Sequence, residues 1–75
     1  MGKPILYHQR SCGMCKAVEM MLQKRGIEYE SRLVDEEANM EEAKRIGVSG
    51  TPALAVDGKV YLKRECLDWI NSQGR

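Results

Sequence analysis

Arg10-Ser11-Cys12-Gly13-Met14-Cys15-Lys16 sets two thiols three positions apart, between a short apolar run and the opening of a helical pattern. At that spacing two sulfurs can close a disulfide across a first helical turn with little backbone movement. A bridge that opens and closes easily is a redox tool rather than a staple. A cysteine at a helix N-terminus faces unpaired backbone N–H groups and the positive end of the helix dipole, and both stabilise a thiolate. Arg10 and Lys16 add positive charge nearby. Cys12 is therefore expected to be the readily ionised nucleophile, and Cys15, one turn further in, the resolving thiol.

Upstream of this corner, Ile5, Leu6 and Tyr7 form a continuous apolar run within Lys3 to His8, the pattern of a strand buried on both faces and hence central in its sheet. Gln9 to Cys12 is a polar loop. Downstream, Ala17, Val18, Met21 and Leu22 recur at helical spacing, and Lys24-Arg25-Gly26 ends the helix with basic residues and a glycine. Glu28 to Val34 alternates, with Tyr29, Ser31 and Leu33 on one side, which reads as a half-exposed edge strand. Asp35 is placed to cap a second helix. Glu36, Glu37, Glu41 and Glu42 fill that helix's first half and Lys44 and Arg45 its end, in the order the macrodipole favours. Met40, Ala43 and Ile46 supply its apolar stripe. The acidic cluster reads as a solvated helix start rather than a metal site.

Val48 to Pro52 is a loop. Ala53-Leu54-Ala55-Val56 and Lys59-Val60-Tyr61-Leu62 are two short strands joined by Asp57-Gly58, a two-residue hairpin signal. From Lys63 to about Ser72 a last helix turns Cys66, Leu67, Trp69 and Ile70 to the core, with Gln73-Gly74-Arg75 fraying. Most methionines fall at helical spacing and are expected in the core, with Met14, between the two cysteines, as the exception. His8 reads as a strand-end packing residue. Cys66 reads as core, with a second, regulatory thiol as the sharper alternative.

The 75 residues allow one domain, residues 1–75, with a thin core. The chain is 43% hydrophobic and 31% charged with a net charge of +1, so no basic surplus points to nucleic acid or an anionic membrane. The N-terminal residues are too few and too polar for a signal peptide, and nothing approaches the roughly 20 apolar residues of a membrane span. Gly2 raises the thought of myristoylation, but Leu6 stands where that motif wants Ser or Thr. Three cysteines, an odd number, argue against a secreted disulfide framework. The expected location is cytoplasmic. Two other readings of the pair stay open on these grounds: a zinc site completed by His8 and Cys66, and a pair of inert core thiols.

The element order, Cys12-Gly13-Met14-Cys15 at the start of the first helix, and Thr51-Pro52 before the third strand together resemble the thioredoxin superfamily. With only one strand before the active-site helix, the chain is similar to its glutaredoxin branch, over nearly the whole length from Ile5 to about Ile70. The resemblance implies an α/β, thioredoxin-like glutaredoxin fold, β-α-β-α-β-β-α, with a four-stranded mixed sheet flanked by three helices. It implies a cis Thr51-Pro52 bond facing the disulfide, with the backbone of Thr51 free to pair with an extended thiol substrate, as a strand adds to a sheet edge. It implies a thiol-disulfide oxidoreductase, with no tightly bound cofactor and no metal, acting on a disulfide-containing client. The reductant would be glutathione or else a thioredoxin-reductase-type flavoenzyme, the second being the supply of the ribonucleotide-reductase redoxins, which look like glutaredoxins but lack the glutathione site.

The family pattern breaks at the rim of the site. Glutaredoxins carry a lysine three residues before the first cysteine for the glycine carboxylate of glutathione; this chain has Gln9, with Arg10 beside it as a substitute. They carry Thr-Val-Pro where this chain has Gly50-Thr51-Pro52. Their Gly-Gly-acid motif, which holds the γ-glutamyl end, falls near Leu62 to Cys66, where this chain reads Lys63-Arg64-Glu65-Cys66 and only Glu65 could act. The run from Gly50 to Ile70 also resembles the N-terminal domain of glutathione transferases, in which a Glu-Ser pair analogous to Glu65-Cys66 grips glutathione. The expected binding set is thus Gln9, Arg10, Met14, Thr51, Pro52 and Glu65 around the catalytic Cys12 and Cys15, in a monomer. Two competing functions follow from the same resemblance: an iron–sulfur carrier sharing a cluster with glutathione across a dimer, with which Gly13 is compatible, and a non-enzymatic adaptor.

Overall fold

Leu6 and Tyr7 are adjacent and both buried, so the strand that carries them is covered on both sides. That strand is β1 (Ile5–His8) of a computed structural model that describes residues 3–73. Met1, Gly2, Gly74 and Arg75 lie outside the described residues, and with them the Gly2 reading and the end of the expected fraying. The chain continues as α1 (Gly13–Lys24), β2 (Glu30–Leu33), α2 (Glu37–Arg45), β3 (Ala53–Val56), β4 (Lys59–Leu62) and α3 (Arg64–Gln73). The sheet order is β2-β1-β3-β4, with β1 parallel to β2 and antiparallel to β3, and β3 antiparallel to β4. The expected mixed, four-stranded thioredoxin-like sheet with three helices is what forms, with β1 inside and β2 at an edge.

The period of two along the strands sorts the core into two layers. Leu6 and Leu54 point to one face, where they pack with Val18 and Leu22 of α1 and Cys66 and Ile70 of α3. Tyr7 and Ala53 point to the other and meet Val34, just after β2, and Ala43 of α2. The first layer is built of large aliphatic side chains, whereas the second is largely alanine and valine filled out by one tyrosine. Burial raises the Tyr7 hydroxyl above its ordinary titration range, and the carboxylate of Glu42 adds to that shift.

Local chemistry explains the ends of the elements. Gly26 (φ +70°) and Gly47 (φ +92°) each close a helix in the left-handed region. Beyond them the Ile27 N–H donates to the Leu22 carbonyl at 3.0 Å and the Val48 N–H to that of Ala43 at 2.8 Å, which satisfies otherwise orphaned helix carbonyls. Asp57-Gly58 forms the hairpin turn, and its register pairs Val56 with Lys59.

Three expectations are corrected. Asp35 does not cap α2: the capping position is Glu36, without a side-chain hydrogen bond, because the Asp35 carboxylate is turned to the backbone of Arg10. The stripe on α2 reduces to Ala43, since Met40 and Ile46 stay exposed; the helix lies on a layer of small side chains and meets it along a narrow line. The methionines are mostly at the surface, with Met14, Met20 and Met40 exposed and Met21 packed against the core. On α1 the inward face is taken by Cys15, Val18 and Leu22, which leaves Ala17 and Met20 outside.

Candidate active site

The loop that leaves β1 turns at Gln9, whose carbonyl accepts the Cys12 N–H at 3.4 Å. Cys12 is the N-cap of α1, extended at φ −104° and ψ 109°, and its Sγ accepts the Cys15 N–H at 3.1 Å. The sulfur therefore occupies the place a serine or aspartate oxygen takes at most helix starts. Cys12 and Cys15 are joined as a disulfide, with Cα atoms 5.2 Å apart. Their surroundings differ: Cys12 is partly exposed, whereas Cys15 is 2% exposed. Only Cys12 is open to an incoming sulfur, and the N–H that meets it would stabilise its negative charge once the bridge is reduced.

Two side-chain contacts tie this loop to distant parts of the chain. The Asp35 carboxylate, at the β2 to α2 turn, accepts the Arg10 N–H at 3.4 Å. The Thr51 hydroxyl donates to Gln9 Oε1 at 3.0 Å, across 42 positions of sequence. The Thr51-Pro52 peptide is cis and Pro52 is buried. The Pro52 carbonyl accepts the Lys63 N–H at 2.8 Å and lies 3.7 Å from Cys66 Sγ, so the start of α3 backs this segment. Among the described residues, neither the N–H nor the C=O of Thr51 is paired with another backbone group. Beside Thr51 a groove of about 370 Å³ runs to α2, lined by Gln9, Met40, Ala43, Val48 and Gly50.

The sequence-derived residues thus fall into two groups. Cys12, Cys15, Gln9, Thr51 and Pro52 are linked by hydrogen bonds, by the disulfide or by chain adjacency, and Met14 sits between the two cysteines with its side chain exposed. Arg10 is exposed next to Gln9 and is engaged through its backbone. Glu65 stands apart: its Oε1 accepts the Leu62 N–H at 3.1 Å, and it lines a separate cleft with Tyr61, Asp68 and Trp69. Sequence reasoning missed the Asp35 brace and the approach of Lys63 to this corner. The only available signal for the second was a lysine where a strand must turn sharply into a helix.

His8 and Cys66, the other members of a zinc reading, have their own partners. His8 Nε2 lies 2.6 Å from the Ser31 hydroxyl, and Cys66 donates to the Tyr61 carbonyl at 3.2 Å. Among the described residues no three His, Cys, Asp or Glu side chains converge as a metal site would need. Burial pushes the Cys66 thiol up from 9.0 to about 11, with the charge of Glu65 adding to it. An unfolded chain would thus lose this proton at lower pH than the folded one, so the stability due to the neutral thiol is complete below pH 9 and fades as pH rises towards 11. Urea unfolding between pH 8 and 11 should show a steeper loss of stability in the wild-type protein than in Cys66→Ala. Parallel curves would show that Cys66 ionises in the folded state as freely as in the unfolded chain.

Comparison with known proteins agrees with this arrangement. The family model described as glutaredoxin matches residues 5–61. No curated protein matches the chain. Among solved structures, a mutant of the thioredoxin-like protein BC3987 superposes with a TM-score of 0.79 at 26% identity, covering 92% of this chain and 99% of that one. The unmutated BC3987 gives 0.75 at 25% identity, covering 91% and 99%. The NrdH-redoxin of Escherichia coli, described as a glutaredoxin-like protein with a thioredoxin-like activity profile, gives 0.77 at 24% identity over 99% of this chain and 97% of that one.

Proposed function

The chain belongs to the glutaredoxin family and is a thiol-disulfide oxidoreductase, and from that premise we propose that it reduces disulfides of client proteins with electrons drawn from a thioredoxin-reductase-type flavoenzyme rather than from glutathione. In the reduced form, the Cys12 thiolate attacks one sulfur of the client disulfide, and the other client sulfur leaves as a thiolate that takes up a proton. The Cys15 thiolate, formed by loss of its proton, then attacks Cys12 Sγ in the mixed disulfide. The second client thiolate leaves, and the Cys12–Cys15 bridge seen here is the product. Two electrons have passed to the client, and two electrons from the reductant reopen the bridge.

The supply of those electrons is read from Gln9. Its side-chain oxygen is taken by the Thr51 hydroxyl, and no lysine stands at that position to receive a glycine carboxylate. Lys63 and Arg64 fill the place of the glycine pair, and Glu65 is held by the Leu62 N–H. The similarity to NrdH-redoxin, whose activity profile is described as thioredoxin-like, points in the same direction. Reduction of the oxidised protein, followed by NADPH consumption, should run at least about tenfold faster with thioredoxin reductase than with glutathione and glutathione reductase, the difference that about 1.4 kcal/mol of lost recognition would give. The reverse order would assign the protein to the glutathione-dependent branch.

The protein acts as a monomer, Met14 and Thr51 contact the client, and no resident cofactor takes part. The free backbone of Thr51 supports the placement of an extended client segment across the disulfide.

A further inference from the structure

Lys63 is built in an uncommon way. Among the described residues it is one of two non-glycine residues with a positive φ, at +51°, in the turn from β4 into α3. A glycine would hold that backbone without the close approach of Cβ to the following carbonyl. The turn is required because the Lys63 N–H must reach the Pro52 carbonyl, 2.8 Å away. The side chain then folds over Gly50: Cε and Nζ lie 3.4 and 3.8 Å from the point that a Cβ on Gly50 would occupy. Any side chain larger than alanine at position 50 would compete for that space. A residue disfavoured by its backbone and a glycine that leaves it room together put an ammonium group over Gly50, the residue before Thr51. Among the described residues the ion pairs involve Arg32 alone, so no carboxylate neutralises Lys63.

We infer that Lys63 is a specificity-determining cation that binds a carboxylate of the disulfide substrate lying along Thr51, next to the sulfur that Cys12 attacks. The inference rests on the oxidoreductase reading above and adds the substrate class: disulfides flanked by negative charge. Such a carboxylate is supplied either by an acidic side chain beside a client cysteine or by the terminal carboxylate of a small thiol. In both cases it docks at a solvated, flexible ammonium, so its contribution is modest and depends on salt.

Three substrates separate the possibilities: a peptide disulfide with glutamate beside the cysteine, the same peptide with glutamine, and oxidised glutathione. With reductant saturating, Lys63→Gln should lower kcat/KM for the glutamate peptide about fivefold and Lys63→Glu about tenfold or more, with less than twofold change on the glutamine peptide. Lys63→Gly, which suits the left-handed turn, should behave as Lys63→Gln and guards against a folding defect. A loss confined to the glutamate peptide assigns the site to an acidic side chain, and a loss confined to oxidised glutathione assigns it to a small-thiol carboxylate. Raising the salt should erase the wild-type preference. Equal losses on the glutamate and glutamine peptides, or no loss on any carboxylate substrate, would overturn the inference. A wild-type protein that reduces none of the three would instead overturn the oxidoreductase reading.

Discussion

Cys12→Ser abolishes disulfide reduction, with an expected loss of at least about a thousandfold, the scale on which covalent catalysis fails when its nucleophile is removed. The reason is local. Cys12 is the more open of the two sulfurs, and it alone takes the N-cap position, where the Cys15 N–H meets it at 3.1 Å. A serine would cap the helix equally well, so the variant should fold with unchanged stability in its reduced form. Cys15→Ser should give a different result, because Cys15 is only 2% exposed and is placed to act after a first exchange at Cys12. That variant should slow turnover and accumulate a mixed disulfide with the client, visible as a covalent adduct that a reducing agent releases. If Cys12→Ser kept full activity, or if the adduct accumulated in Cys12→Ser and none formed in Cys15→Ser, the assignment of roles would be wrong.

The largest effect on stability is expected at Leu6. It is fully buried at the centre of β1, opposite Leu54 in the register and facing Val18 and Leu22 of α1. Leu6→Ala should cost about 3 kcal/mol, the sum of lost transfer energy and a cavity that close packing cannot fill. A domain of this size holds roughly 4–11 kcal/mol in all, so the variant loses a large part of its margin and its Tm falls by about 15–20 °C. Met20→Ala, on the exposed side of α1 at 68% exposure, should by contrast stay within about 0.5 kcal/mol of wild type. Urea unfolding of both oxidised variants checks the pair. A cost below about 1 kcal/mol at Leu6 would mean that the layer under α1 and α3 is not the structural core.

Leu6 also shows why much of the fold was legible in the sequence. Its neighbours Ile5 and Tyr7 are apolar too, and a continuous run of that length requires cover on both faces. Asp57-Gly58 and the glycine after Lys24-Arg25 are local signals with local causes, and the structure uses both as expected. The misses arise where a side chain had a choice of partner. Asp35 looks like a helix cap because aspartate caps helices, yet a backbone N–H from a loop 25 positions earlier took its oxygen. Met40 and Ile46 have helical spacing, but spacing does not reveal that the facing layer is made of small residues. At the site, the two thiols were readable from their spacing, and Thr51-Pro52 from a resemblance. The bond between Gln9 and Thr51 was not, because it depends on how β1 and β3 bring two loops together.

The same long-range construction bears on how the enzyme is made. The corner that surrounds the disulfide draws on residues near 9–15, on Thr51 and Pro52, and on Lys63 and Cys66, which back Pro52. During synthesis the dithiol emerges first and the Thr51-Pro52 segment follows much later, and a domain of this kind folds as one unit. Until α3 has emerged and packed, Cys12 is an unguarded cysteine on a nascent chain, open to bridging with whatever thiol is nearby. The corner around the disulfide is thus complete only once α3 has emerged, and a ribosome stalled before Lys63 would carry the two thiols without the segments that enclose them.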